Sequence, residues 1–292
     1  MDETFLDINN YVSIASVAQD YMKYNGVFDN VYEVSGNVRE FINKCMYGGR
    51  TMCAENKKIG NNQNEILADF DAVSLYPSAM ERLEGYLQGR PKIIENTDYD
   101  SIKNHNGYFV EIIVKSVGKK YKFPLMSKIN DKGIREWTNE MVNEYLYVDK
   151  ITLEEIIKYH KIEFEIVRGY YFNEGRNYKL KPAITHLFNS RLKAKKAGNP
   201  IQSVYKLLMN SSYGKTLLKP IETEIKFVRK KDIMDFMGKN YNWVIEAEEL
   251  PCGRTVKVKL HKPINEHFNL VQAGVEVLSM SKRIMNEVMC LA

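Results

Sequence analysis

The junction Ile66 to Ser78 restricts the fold more than any other stretch of this chain. An apolar run from Ile66 to Val73 carries two acidic residues and then passes into Ser74-Leu75-Tyr76-Pro77-Ser78. Read as a buried strand, the run places Asp69, Asp71 and Val73 on one face and Ala68, Phe70 and Ala72 on the other. Side chains two residues apart on a strand sit about 6–7 Å apart. Asp69 is therefore a poor second ligand to any ion that Asp71 holds. Beyond Val73 the chain is expected to turn sharply through Ser74 to Pro77 and to become helical from Ser78 to Leu83. A carboxylate at a strand end, followed by a turn that presents backbone amides, suits a metal–phosphate group.

The surrounding pattern is that of an α+β protein of 292 residues, long enough for more than one lobe. Helices are expected over Ser13–Tyr24, with Ser13 as cap, over Asn37–Lys44, and from the capping box Thr152-Leu153-Glu154-Glu155 to about His160. Strands are expected over Tyr108–Lys115, at Ile162–Ile166 and over Glu222–Arg229. A hairpin is expected to turn at Pro251–Arg254, between Trp243–Glu248 and Arg254–Leu260. The spacing of Val277, Met280, Ile284, Val288 and Leu291 predicts an amphipathic helix over Val271–Ala292. His105 and His160 have no partners evident in sequence and read as structural or surface residues. No apolar run approaches 18 residues, and Met1-Asp2-Glu3 does not begin a secretory signal. The four cysteines, at 45, 53, 252 and 290, form no Cys-x-x-Cys pair. They read as reduced packing thiols of an intracellular protein.

Net charge is 42 − 37 = +5, and its distribution says more than its size. From Arg191 to Asp232 there are eleven Lys or Arg against three acidic residues, a local excess of +8 that points to a polyanionic partner. The segment opens as a helical hairpin, Ala183–Lys196 and Ile201–Tyr213, broken at Gly198-Asn199-Pro200. Arg191 and Lys195 share a face of the first helix. Lys206, Asn210 and Tyr213 share a face of the second: an ammonium for phosphate, an amide for polar edges and a ring for stacking. Upstream, Gly48-Gly49-Arg50 combines a tight turn with a guanidinium that can meet a phosphate.

Two of these segments resemble family B DNA polymerases. Asp71-Ala72-Val73-Ser74-Leu75-Tyr76-Pro77-Ser78 is similar to their motif A, Asp-x-x-Ser-Leu-Tyr-Pro-Ser. Lys206 through Asn210-Ser211-Ser212-Tyr213-Gly214 is similar to their motif B, Lys-x-x-x-Asn-Ser-x-Tyr-Gly. Gly48-Gly49 resembles the Tyr-x-Gly-Gly element of protein-primed members, with Met46 at the expected Tyr position and Tyr47 one residue later.

The resemblance implies a partial polymerase palm with helical-hairpin fingers and a mixed α/β insertion. Residues 1–55 would lead into the palm and carry the Gly-Gly template element, and 56–84 would carry motif A. Residues 85–181 would form a first insertion facing a terminal priming protein, and 182–216 the fingers. Residues 217–265 would form a second, hairpin-like insertion, and 266–292 a palm helix preceding motif C. It implies nucleotidyl transfer from a deoxynucleoside triphosphate to a primer 3′-hydroxyl on a DNA template, in viral or mobile-element replication, with a pair of magnesium ions. Asp71 would ligate metal together with the carbonyl of Ala72. Ser74, Leu75 and Tyr76, with Arg191, Lys195 and Lys206, would hold the nucleotide, and Asn210 and Tyr213 would border the base pair. Gly48, Gly49, Arg50, Ser211 and Gly214 would meet DNA.

The second carboxylate motif, Asp-Thr-Asp-Ser, does not occur in the sequence. The isolated chain is therefore expected to show little or no polymerase activity, with a second chain or a further segment completing the site. A non-catalytic nucleic-acid-binding remnant and a nucleic-acid-primed polymerase stand as alternatives.

Overall fold

The computed structural model describes residues 6–57, 71–218, 223–262 and 270–291. The chain divides into two compact units, Met1–Leu217 with Leu270–Ala292, and Leu218–Asn269.

The first unit opens with α1 (Ile14–Tyr24), capped as expected by Ser13, whose hydroxyl accepts from the Ser16 amide at 3.3 Å. It continues through α2 (Gly36–Lys44) to α3 (Leu75–Leu83). A short ribbon strand β1 (Tyr86–Leu87) is followed by β2 (Lys92–Ile93), a single turn α4 (Tyr99–Ile102) and β3 (Gly107–Val117). A small hairpin, β4 (Ser127–Ile129) and β5 (Arg135–Trp137), precedes β6 (Tyr145–Asp149), α5 (Lys150–His160), β7 (Ile162–Phe172) and β8 (Arg176–Asn177). The helices α6 (Leu180–Lys196) and α7 (Gln202–Leu217) then form the hairpin read from sequence.

The central sheet is antiparallel in the order β2-β7-β3-β6. Strand β3 is apolar on both sides because both faces are covered. Tyr108, Val110, Ile112 and Val114 join the core beneath α5, with Leu153 and Ile156. Phe109 joins a second core with Phe41, Ile42 and Phe172. Glu111, on the Phe109 side, stays buried because Arg168 Nε lies 2.5 Å from it and the Tyr147 hydroxyl donates to it.

One expectation changes here, the cap of α5, while the structural reading of the histidines holds and the cysteines divide by burial. Helix α5 is capped by Asp149, whose carboxylate accepts from the Thr152 amide at 3.2 Å. Thr152 lies inside the helix and its hydroxyl donates to Ser279 Oγ at 3.0 Å. Asp149 outcompetes the capping box because a side chain three residues upstream already reaches the amide that a Thr cap would leave open. His160 is fully buried and bonded at both ring nitrogens, to the Leu125 amide and the Lys119 carbonyl, so it is a structural residue with partners. His105 stacks on Tyr171 with ring centroids 4.2 Å apart. Among the cysteines only Cys45 is buried; Cys53 and Cys252 are exposed and Cys290 is half-buried.

The second unit is built from β9 (Thr223–Arg229), α8 (Ile233–Asn240), β10 (Val244–Glu249) and β11 (Thr255–His261), with strand order β10-β11-β9. Val256, Val258 and Leu260 face Ile233, Phe236 and Met237. Helix α8 escaped the sequence reading because only one narrow stripe of it is apolar inward.

The chain returns to the first unit as α9 (Val271–Met289). The expected amphipathic stripe describes only its second half. Val271 to Ser281 is buried on every side, including Gln272, Glu276, Ser279 and Ser281, because α2, α3, α5 and α7 all pack on it. A Cβ on Gly274 would lie 2.3 Å from the Leu217 side chain, so glycine is needed where α7 crosses. Glu276 is held by Arg176 through two bonds of 2.7 and 3.2 Å, and Arg176 also donates to the carbonyls of Gly85 and Asn106 at 2.8 and 2.9 Å. Burial nevertheless pushes the Glu276 carboxyl above its usual range, against the pull of Arg176. No helix among the described residues is long and apolar enough to cross a membrane.

Breaking this pair tests the account. Arg176→Met should destabilise the chain by about 3–5 kcal/mol in urea titration, because it strands a buried carboxylate. Without Arg176 the folded-state pKa of Glu276 rises further above its unfolded value. The lost stability should then be smallest in acid and grow as pH rises toward neutrality.

Candidate nucleotide and metal site

The stretch Ile66–Phe70 lies outside the described residues. Its continuation is not strand: Asp71 and Ala72 have no regular structure, and the chain turns at Val73-Ser74. Helix α3 begins at Leu75, three residues earlier than expected. Pro77 fits there because the amide it lacks has no intrahelical acceptor in the first turn. The Ser78 amide donates to the Ser74 carbonyl at 3.0 Å, and its hydroxyl to the Val73 carbonyl at 3.2 Å. No side chain caps α3. The amides of Leu75 and Tyr76 therefore open outward at the positive end of the helix.

Ser74 makes this turn in the left-handed region, at φ 49° and ψ 53°. That conformation costs an L-residue about 1–2 kcal/mol. Its hydroxyl accepts a bond of 2.7 Å from Arg191 Nη1 on α6. The Nε of Arg191 is buried without a hydrogen-bond partner. The start of α3 and helix α6 are thus tied at the residue that bends the chain.

A second contact joins motif A to motif B. The rings of Tyr76 and Tyr213 stack with centroids 4.3 Å apart and planes 13° from parallel. Burial, and then the neighbouring Tyr76, push the Tyr213 hydroxyl well above its usual range. The hairpin that presents Tyr213 turns at Gly198, at φ 65°, and buries Ala183, Ile184, Leu187 and Ala194 of α6 with Tyr205, Leu208 and Met209 of α7. Lys195, Lys206 and Asn210 are left exposed, while Ser211 and Gly214 are half-buried. Gly214 has nothing within 4 Å of where its Cβ would stand. A helical glycine costs about 1 kcal/mol relative to alanine, and no packing inside the chain explains this one.

Asp71 is exposed, and its carboxylate with the Ala72 carbonyl are hard oxygen donors of the kind magnesium takes. Among the described residues no group of three His, Cys, Asp or Glu converges on a metal position. The donors present fit part of a magnesium shell.

Gly48, Gly49 and Arg50 are positioned by other elements. Arg50 does not stand free for a phosphate: it donates to the carbonyls of Phe123 and Pro124 at 3.2 and 3.3 Å and to Asn286 Oδ1 at 2.5 Å. Sequence reading also passed over two cations beside it, Arg135 and Lys282, which lie over the ring of Tyr47. Spacing gave no signal for them, since they are 88 and 235 residues from Tyr47 in the chain.

The family described as DNA polymerase type B, organellar and viral, matches residues 1–286. The chain is 27% identical over 295 aligned positions to a probable DNA polymerase of Ascobolus immersus, covering 98% of this chain and 23% of that protein. It is 30% identical over 159 positions to the DNA polymerase of Acidianus bottle-shaped virus, covering 50% of this chain and again 23% of the relative. The chain thus spans about a quarter of the length of these relatives. Among solved structures, phi29 DNA polymerase complexed with primer-template DNA aligns at a TM-score of 0.56 and 15% identity, over 94% of this chain and 44% of that one. The same polymerase with primer-template DNA and incoming nucleotide aligns at 0.56 and 16%. At such identity the likeness is one of fold.

The strained turn gives a direct test. Ser74→Val, which adds a β-branch in the left-handed region and removes the acceptor of Arg191, should lower stability by about 2–3 kcal/mol by thermal or urea unfolding. Ser74→Gly should cost much less, because the relieved backbone offsets the lost hydrogen bond.

Proposed function

Because this chain belongs to the organellar and viral type B DNA polymerases, we propose that it carries the nucleotide-binding half of a template-directed nucleotidyl-transfer site. The observation that supports this most is the double tie at the start of α3: Arg191 on Ser74 and Tyr213 on Tyr76. It gathers two amides without a partner among the described residues, an arginine and two aromatic rings around one helix end that Ser74 does not cap.

In this reading the amides of Leu75 and Tyr76 donate to phosphate oxygens and Arg191 pairs with the same group. Lys195 and Lys206, both exposed, swing onto the triphosphate tail. The Tyr76 ring supports the sugar and excludes a 2′-hydroxyl. Asn210 and Tyr213 border the base, and Ser211 and Gly214 leave room for the template. Asp71 and the Ala72 carbonyl hold magnesium, which when bound supplies charge neutralisation at the transferring phosphoryl group. A second carboxylate comes from a segment or partner chain other than the residues described. Residues 85–181 and 217–265 serve as the two insertions of a protein-primed enzyme. The first would face a terminal priming protein, in viral or mobile-element DNA replication inside a host cell.

Equilibrium binding of a fluorescent deoxynucleoside triphosphate in magnesium tests the site. Arg191→Ala and Lys206→Ala should each weaken binding about tenfold or more, the scale of one charge-assisted hydrogen bond. Asp71→Asn should abolish the difference between binding with and without magnesium. Affinities unmoved by all three changes would sink the reading. Primer extension by the chain alone should remain at background.

A further inference from the structure

Gly48 and Gly49 have no explanation among the described residues. Neither lies in the left-handed region, and a Cβ on either would have nothing within 4 Å. Both are exposed. Other glycines of this unit are accounted for by contact: a Cβ on Gly85, Gly169 or Gly274 would strike atoms at 2.1–2.3 Å. A pair of glycines that the chain itself does not need leaves bare backbone for something outside it.

The charges beside the pair are equally one-sided. Tyr47 is buried, and over its ring lie the Arg135 guanidinium at 4.9 Å and the Lys282 ammonium at 3.8 Å. Trp137 packs at 6.0 Å from the Tyr47 ring, with Arg50 over its own ring at 6.0 Å. Arg135 and Trp137 are two residues apart on β5 and so share a face, which the β4–β5 pairing turns toward Tyr47. Among the described residues none of Arg50, Arg135 and Lys282 has a carboxylate within 4 Å. Glu155 is committed to Arg283 at 3.0 Å and Asn286 at 2.9 Å. Asp149, the other acid acting on this cluster, is buried, and burial raises its carboxyl. Lys282 is pushed down to about 8, mainly by burial, with Asp149 opposing and Arg135 and Arg50 adding repulsion. Behind Tyr47 lies a cavity of about 20 Å³ lined by Arg50, Trp137, Thr152, Ser279 and Lys282, room for a single water. Among the described residues, no anion is available to these cations from within the fold. Arg135 is exposed there, with one bond to Ser127 Oγ at 2.9 Å.

We propose that the β4–β5 hairpin is a DNA-contacting element, and that Arg135 grips a backbone phosphate of a strand passing over Gly48–Gly49. The hairpin belongs to the segment otherwise expected to face a priming protein, so this assigns part of that segment to DNA. Lys282 and Arg50 act as fixed positive charges beneath the contact. Tyr47 and Trp137 are positioning residues that hold the hairpin at the glycines.

The proposal rests on the polymerase reading, and the test separates the two. Binding of the 292-residue chain to a fluorescein-labelled primer-template is followed by anisotropy across a salt series. Arg135→Ala should weaken binding about tenfold at low salt and reduce the salt slope by about one. Arg135→Lys should restore the slope. Gly48→Val should leave the melting temperature within a degree or two, since its space is open, yet weaken DNA binding by tenfold or more. Lys132→Ala, on the exposed turn of the same hairpin, should change little. A wild-type chain that binds the primer-template while Arg135→Ala matches it in affinity and slope overturns the proposal and spares the polymerase reading. So does an equal loss in Lys132→Ala. Absence of any DNA binding by the wild-type chain overturns the proposal, whereas triphosphate binding separately decides the nucleotide site.

Discussion

Burial of α9 from Val271 to Ser281 is the constraint on which the first unit depends. A helix enclosed on all sides must be thin where its neighbours cross it, and Ala273, Gly274, Ser279 and Ser281 keep it so. Its polar groups must also be satisfied in place. Glu276 is met by Arg176, Ser279 by Thr152, and the Gln272 amide by the Tyr32 carbonyl at 2.6 Å. Each bond reaches a different part of the chain. The helix therefore fixes α3, α5 and α7 together as well as separating water from the core.

The candidate nucleotide site follows from that arrangement. Helix α3 buries Pro77, Ala79, Met80 and Leu83, which fixes the helix and leaves Leu75 and Tyr76 half-buried at its start. Helices α6 and α7 pack on α3 and bring Arg191 and Tyr213 to its start. The left-handed Ser74 is tolerable because packing on either side dictates the bend. The buried residues lie beneath the candidate site, and the exposed Lys195 and Lys206 stand at its rim.

Much of this was legible in the order of residues. Period-two alternation marked β7, β9 and β11, and the Gly198-Asn199-Pro200 break located the hairpin, because these signals are local. Motif spacing named Asp71, Tyr76, Lys206 and Tyr213, since those residues repeat a pattern carried by their immediate neighbours. What escaped was decided by tertiary competition. Asp149 took the cap that Thr152 had the right pattern for. Full enclosure hid the amphipathic logic of α9. The start of α3 moved from Ser78 to Leu75 because Pro77 is as good a first-turn residue as a turn residue. The cations around Tyr47 come from β5 and α9, and no window of sequence contains both.

The stack of Tyr213 on Tyr76 has a consequence for selectivity. At 4.3 Å between centroids, each ring already shields the other from water, and no third planar group fits between them. A planar ligand stacking on the covered face of either ring would have to displace the other and replace the surface it covered. An aromatic pair is worth about 0.5–1.5 kcal/mol beyond its buried area. A bare polyphosphate returns none of that, whereas a ligand carrying a sugar and a flat base can return all of it. If the site takes nucleotides as proposed, the two tyrosines would act as a weak internal competitor, set at a threshold that whole nucleotides pass and their fragments do not.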